Sequence, residues 1–227
     1  KNKKKFRIIM IDGNLKKRSL TSIILFTVLA LLLNYNFVLI YCIILFGTIS
    51  ILEFTNLLKK IDLNIVLKFF YASIFVVYIL YFSLLIFYNL NHGKEIKVIT
   101  VFILLICIFS DIGGLIFGKT FKGPKLTSIS PNKTISGSVG SIISSLIILF
   151  IFVNLYDYGI PLYKLFILTV SISFLSQAGD ILFSYMKRRA KVKDTGNLLP
   201  GHGGVLDRFD GILIGLPIGN ELFYFLI

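Results

Sequence analysis

Four aspartates interrupt an otherwise apolar sequence. Asp111 follows the run Val101–Ser110, Asp180 lies near the end of a later run, and Asp207 and Asp210 open the last one. A carboxylate within a membrane span costs roughly 2.5–3.5 kcal/mol on insertion scales unless it meets a partner or a wet cavity. Four acids at one expected depth therefore read as a site. Asp207 and Asp210, three apart, are neighbours on a helix face. Asp180, Ser184 and Lys187 follow the i, i+4, i+7 spacing and share another face. Oxygen ligands without a His/Cys set suit a hard divalent cation such as Mg²⁺, which commonly bridges to substrate phosphate. The intervening loop holds Pro200-Gly201-His202-Gly203-Gly204, whose glycines let backbone N–H groups approach an anion. A helix starting near Asp207 would aim its positive end there as well. The stretch Ser130-Pro131-Asn132-Lys133-Thr134 offers a second wall of hydroxyls and one cation. It is no Walker A loop, because Gly-x-x-x-x-Gly-Lys-Ser/Thr does not occur. Metal ligands, backbone donors and cations together describe a polyphosphate site.

The elements that must position these residues are membrane helices. The 227 residues are 56% hydrophobic and 15% charged, whereas a soluble domain carries about 25% charge. Apolar segments near Leu20–Leu33, Phe37–Leu52, Ile65–Tyr88, Ile96–Phe117, Ser138–Leu155, Leu162–Phe183 and Val205–Ile227 predict an all-α, polytopic bundle of about seven spans. The first two, joined only by Asn34-Tyr35-Asn36, either both cross or form one re-entrant or interfacial element. With the N-terminus cytoplasmic, twenty basic residues fall inside and only Lys94, Lys97 and Lys164 outside, an asymmetry that sets the orientation. Lys59 and Lys60 are assigned to an inner loop and, with the N-terminal lysines, are read as topology signals. The net charge of +13 has the same source and does not point to nucleic acid. Cys42 and Cys107 lie in apolar runs without metal-ligand spacing, and no cleavable signal peptide is expected. His92 reads as incidental, and Glu53 as a structural tether at the end of the second span.

Beyond this, Ser184-Tyr185-Met186-Lys187-Arg188, Lys193-Asp194-Thr195-Gly196 and Pro200 through Asp210 closely resemble the signature of the phosphatidate cytidylyltransferase (CDP-diacylglycerol synthase) family. The resemblance is unbroken over 184–210 and extends to Gln177-Ala178-Gly179-Asp180, to Ser130–Thr134 and to Asp111 with its glycine-rich sequel. Upstream it is limited to Lys16–Thr21 and Glu53-Phe54. Two positions depart from the family pattern: Ser136 stands where an acid is usual, and Leu115 where an aromatic is usual.

The resemblance implies a nucleotidyltransferase that condenses CTP with phosphatidic acid, giving CDP-diacylglycerol and pyrophosphate. It also implies a homodimer among membrane lipids in a bacterial-type cytoplasmic membrane, with the active site on the cytoplasmic side. Its acids would hold a metal pair, Mg²⁺ and an ion that can be monovalent such as K⁺. In this reading Asp180, Asp207 and Asp210 bind metal, with Asp111 a fourth candidate. Lys187, Arg188, Arg208 and Lys133 hold phosphates, with Ser130, Thr134 and Ser184 beside them. His202, Gly203 and Gly204 approach the triphosphate. Asp180, Lys187, Asp207, Arg208 and Asp210 form the catalytic set. The chain would divide into a basic tail at 1–18, N-terminal spans at 19–95 and a catalytic membrane region at 96–227. The alternatives are another CTP-dependent lipid enzyme, such as a polyprenol kinase or an ether-lipid cytidylyltransferase, and an ion-coupled transporter. Against transport, the acids gather at one surface and no inverted repeat is visible.

Overall fold

The computed structural model describes Thr27, Leu31 and residues 34–130, 133–156, 159–198 and 203–226. Among the described residues it contains six long helices: α1 (Asn36–Lys60), α2 (Ile65–Asn91), α3 (Lys94–Phe121), α4 (Ile135–Leu155), α5 (Leu162–Arg189) and α6 (Leu206–Leu226). All six are long and apolar enough to cross a membrane. Large apolar side chains stand on their outer surfaces, with Phe37, Phe69 and Phe225 at least three-quarters exposed. Such a surface is satisfied by lipid, and helices satisfy their own backbone there. The expected first segment, Leu20–Leu33, lies outside the described residues apart from Thr27 and Leu31.

Four helices run past the ends of their apolar segments, α2 and α3 by about one turn and α1 and α5 by more. The second expected segment stops at Leu52, yet α1 continues to Lys60. Glu53, Thr55 and Asn56 interrupt the hydrophobicity and not the backbone ladder, and the Thr55 hydroxyl donates to the Leu52 carbonyl at 3.0 Å. Lys59 and Lys60 therefore stand on the last turn of a helix, where cations complement the dipole, and not in a loop. Likewise α5 extends beyond Phe183 to Arg189, because Met186, Lys187, Arg188 and Arg189 are good helix formers.

The chain forms two compact units. One comprises the described part of Lys1–Ser83 together with Val192–Arg208; the other comprises Leu84–Lys191 and the described part of Phe209–Ile227. In the first, α1 and the facing length of α2 pack antiparallel. Phe54 stacks on Phe75 with ring centroids 3.8 Å apart, and Phe46 meets Phe82 at 5.7 Å. The short link from Ile61 to Asn64 returns the chain.

In the second unit, small residues bring backbones together, as in membrane helix pairs generally. A Cβ on Gly113 would lie 2.5 Å from the Gly140 carbonyl, and one on Gly137 would lie 2.8 Å from the Gly114 carbonyl. Gly113, Gly114 and Gly118 thus serve the α3–α4 contact. Between α5 and the length of α6 in this unit the contact is equally close: a Cβ on Gly179 would meet the Asp210 carbonyl at 2.6 Å. Polar side chains tie three helices. Ser138 on α4 donates to Gln177 on α5 at 2.5 Å, Gln177 reaches Ser173 at 3.4 Å, and Ser173 bonds Ser110 on α3 at 3.0 Å.

Candidate functional site

Functional side chains gather in each unit. In the second unit the close contact of α5 with α6 carries Asp180 and Asp210 toward each other, near enough for their carboxyl groups to act on one another. A Cβ on Gly211 would lie 2.5 Å from Ser176 Oγ and 3.0 Å from the Ser176 carbonyl, with Asp180 Oδ1 at 3.2 Å, so glycine there lets the two helices approach. Two carboxylates in one low-dielectric place require positive charge beside them. Lys133 Nζ lies 2.7 Å from Asp180 Oδ2 and Lys187 Nζ lies 3.7 Å from Asp210 Oδ2. Both pairs are largely buried. Asp111 on α3 lies within coulombic range of Asp210. Three carboxylates and two ammonium groups thus come from α3, α5, α6 and the segment preceding α4.

That segment is folded by its own backbone. Lys122 and Gly123 adopt positive φ angles of 52° and 118°, which turns the chain out of α3. Leu126 N–H then donates to the Lys133 carbonyl at 2.8 Å and Ile135 N–H to the Pro124 carbonyl at 3.0 Å. Lys133 N–H closes on the Ser130 carbonyl at 3.0 Å. Thr134 is the N-cap of α4, its hydroxyl accepting from Gly137 N–H at 3.1 Å, the standard duty of threonine at a helix start. Ser136 donates to the Lys122 carbonyl. Ser130 and Thr134, expected against substrate, therefore hold the turn that presents Lys133.

In the first unit, Asp207 organises the signature loop. Its Oδ2 accepts from Thr195 N–H at 2.8 Å and from Gly204 N–H at 2.9 Å, and lies 3.0 Å from the Thr195 hydroxyl oxygen. Gly203 has φ +85°, and a Cβ there would lie 2.9 Å from Asp207 Oδ2, so glycine is required on both counts. The Gly204 N–H, expected toward phosphate, here donates to the carboxylate of the adjoining turn. The same contacts give Oδ2 of Asp207, expected on a metal, a duty within the loop.

Glu53 on α1, read from the sequence as a structural tether at the end of its span, makes its contacts with residues far along the chain. It is 8% exposed. It accepts from Val205 N–H at 3.0 Å, from Leu206 N–H at 2.9 Å and from the Thr195 hydroxyl at 3.0 Å. Two backbone donors at the start of α6 are thereby satisfied by a residue 152 and 153 positions away. They are not left pointing at an anion, as the sequence had suggested. The one available signal was the family-like pair Glu53-Phe54.

Arg188 is exposed and, with Arg189, Tyr185, Ser128 and Ile129, lines an open cleft of about 450 Å³. The Arg189 guanidinium lies 5.8 Å from the Tyr185 ring centroid. Ser184 is half-buried on α5 and Arg208 is exposed on α6. His202 falls outside the described residues.

Among the described residues, no group of three or more His, Cys, Asp or Glu side chains is placed to hold a metal ion. The structure assembles a pair from the four expected acids. Asp180 and Asp210 are the residues that could hold a divalent cation, because Mg²⁺ takes one or two carboxylates and completes its shell with water and substrate phosphate.

Comparison with known proteins bears on this arrangement. The model of the cytidylyltransferase family matches residues 6–226. Phosphatidate cytidylyltransferase of Staphylococcus saprophyticus subsp. saprophyticus is 44% identical over 123 residues, 54% of this chain and 47% of that protein. The Staphylococcus haemolyticus protein of the same name is 42% identical over 119 residues, 52% of this chain and 46% of that protein. The one from Rickettsia prowazekii is 36% identical over 143 residues, covering 60% and 62% of the two chains. The matched stretch thus spans about half the length of the staphylococcal relatives.

Proposed function

From the premise that this chain belongs to the cytidylyltransferase family, we propose that it condenses CTP with phosphatidic acid to CDP-diacylglycerol and pyrophosphate, at the cytoplasmic face of a bacterial-type membrane. The observation that carries the reading is the Asp180–Asp210 carboxyl pair flanked by Lys133 and Lys187. Relatives named phosphatidate cytidylyltransferase support the choice of substrates.

The chemistry asks little of a base. A phosphate monoester already carries an anionic oxygen at neutral pH. That oxygen attacks the α-phosphorus of CTP, the bond to the bridging oxygen of the β-phosphate breaks, and pyrophosphate leaves with the electron pair. The difficulty is bringing two anions together and holding them in line, a matter of positioning and electrostatics. Lys133 and Lys187 lower the repulsion between the incoming phosphates. Asp180 and Asp210, with Asp111 nearby, would hold Mg²⁺, and a second ion such as K⁺ belongs to the same reading. When bound, such ions neutralise charge on the transferring phosphoryl group and on the leaving group. Asp207 orders its own loop, and Gly203, Gly204, His202, Arg188 and Arg208 keep the phosphate-binding roles that the resemblance assigns to them. The homodimer that the resemblance implies is part of the same proposal.

The test is incubation of the detergent-solubilised protein with CTP labelled in the cytosine ring, phosphatidic acid and Mg²⁺. Label in the organic phase as CDP-lipid supports the reading. With γ-labelled CTP and polyprenol, label in a lipid phosphate would replace it with a kinase.

A further inference from the structure

Glu53 is a buried acid to which the proposed chemistry gives no role. It sits on α1, within the same compact unit as residues 192–208, and makes three hydrogen bonds, all as acceptor and all to that segment. The first N–H groups of a helix have no intrahelical partner. At α6 those of Val205 and Leu206 are taken by Glu53, whose charge also complements the helix dipole. The third bond holds Thr195, whose backbone N–H donates to Asp207 at 2.8 Å. One carboxylate therefore joins the two ends of the signature loop. The loop is built tightly against it: a Cβ on Gly196 would lie 2.5 Å from Glu53 Oε1, and one on Gly204 would lie 2.6 Å from Oε2. Both glycines are small to admit this carboxylate.

We infer that Glu53 is a positioning residue, which holds the loop around Thr195, Gly203 and Asp207 in the form that receives the nucleotide. The inference rests on the functional reading above and adds to it a residue far away in sequence. Glu53 acts through the loop and touches no reacting atom. Glu53→Gln keeps the shape and exchanges one acceptor oxygen for an NH₂ that must face a donor. Hydrogen bonds to a charged group are the strong ones, so the loop loosens.

The test measures amide hydrogen exchange and kinetics on the full chain in detergent. In Glu53→Gln, exchange at Thr195 and at Gly204–Leu206 is expected to quicken about tenfold or more. The KM for CTP is expected to rise about tenfold, with the KM for phosphatidic acid unchanged. Glu53→Asp restores part of the CTP affinity. Gly196→Ala, which displaces the carboxylate without altering its charge, reproduces the CTP effect and serves should Glu53→Gln fail to fold. Unchanged KM for CTP in both variants, or equal loss toward both substrates with only a lowered melting temperature, overturns the inference. A wild-type protein that makes no CDP-lipid overturns the functional reading instead. The exchange at residues 192–208 then still decides whether Glu53 holds the loop, and protection equal to wild type in both variants would show that it does not.

Discussion

Gly179→Ala is the perturbation that most cleanly separates helix spacing from helix chemistry. The substitution adds one methyl group, removes no polar group and raises intrinsic helix propensity. On exposed grounds it would stabilise. In the structure that methyl carbon would lie 2.6 Å from the Asp210 carbonyl oxygen and 3.1 Å from the Gly211 Cα. Both obstacles are backbone, so no side chain can swing aside. To regain an ordinary contact of 3.4 Å or more, α5 and α6 must part locally by about 0.8 Å. Overpacking of this kind costs typically about 1–3 kcal/mol. The functional cost is larger, because Asp180 and Asp210 ride on the two backbones being parted, and a misplacement of about 1 Å can cost on the order of 10²-fold in rate. The assay is initial-rate formation of CDP-lipid beside a melting curve in the same detergent. Expected is a turnover reduced on the order of 10²-fold in protein that still melts cooperatively. Turnover within twofold of wild type would refute the idea that the α5–α6 approach sets the carboxylate pair.

Other expectations follow from single contacts. Lys133→Met removes the cation 2.7 Å from Asp180 and should cut turnover at least about 10²-fold, while Lys133→Arg should recover part of it; wild-type rates for Lys133→Met would remove this side chain from the site. Asn89 Nδ2 donates to Asn220 Oδ1 at 2.9 Å, with both residues buried in the second unit. Asn220→Leu strands that donor and should lower stability by about 1–3 kcal/mol, read by thermal unfolding, with the KM values unchanged.

Much of the site was legible because its residues lie close in sequence or share a helical register. The three-residue step from Asp207 to Asp210 and the seven-residue step from Asp180 to Lys187 put them on helix faces, and Lys187 does stand beside Asp210. Apolar runs located the six described spans, though not their ends, because helix formation does not stop where hydrophobicity stops. Glu53 shows the other side of this. No spacing rule joins it to Thr195, 142 residues later, and only the folded chain brings acceptor and donors together. Glycines were ambiguous for a related reason. Gly113 and Gly114 form part of the glycine-rich sequel to Asp111, a sequence that does not say what the glycines make room for, and the space they leave is filled by α4. Gly203 meets a local conformational demand, a positive φ beside Asp207, and its place in the loop was correspondingly easier to read.

The most direct measurement is the Mg²⁺ dependence of label transfer from CTP to lipid, compared between wild type, Asp180→Asn and Asp210→Asn in the same detergent. If this carboxyl pair holds the cation, wild-type activity vanishes with chelator and returns with Mg²⁺. Each variant then loses activity at least about 10³-fold at ordinary Mg²⁺ while still melting cooperatively. Full activity in either variant, with the wild-type Mg²⁺ dependence intact, would contradict the account.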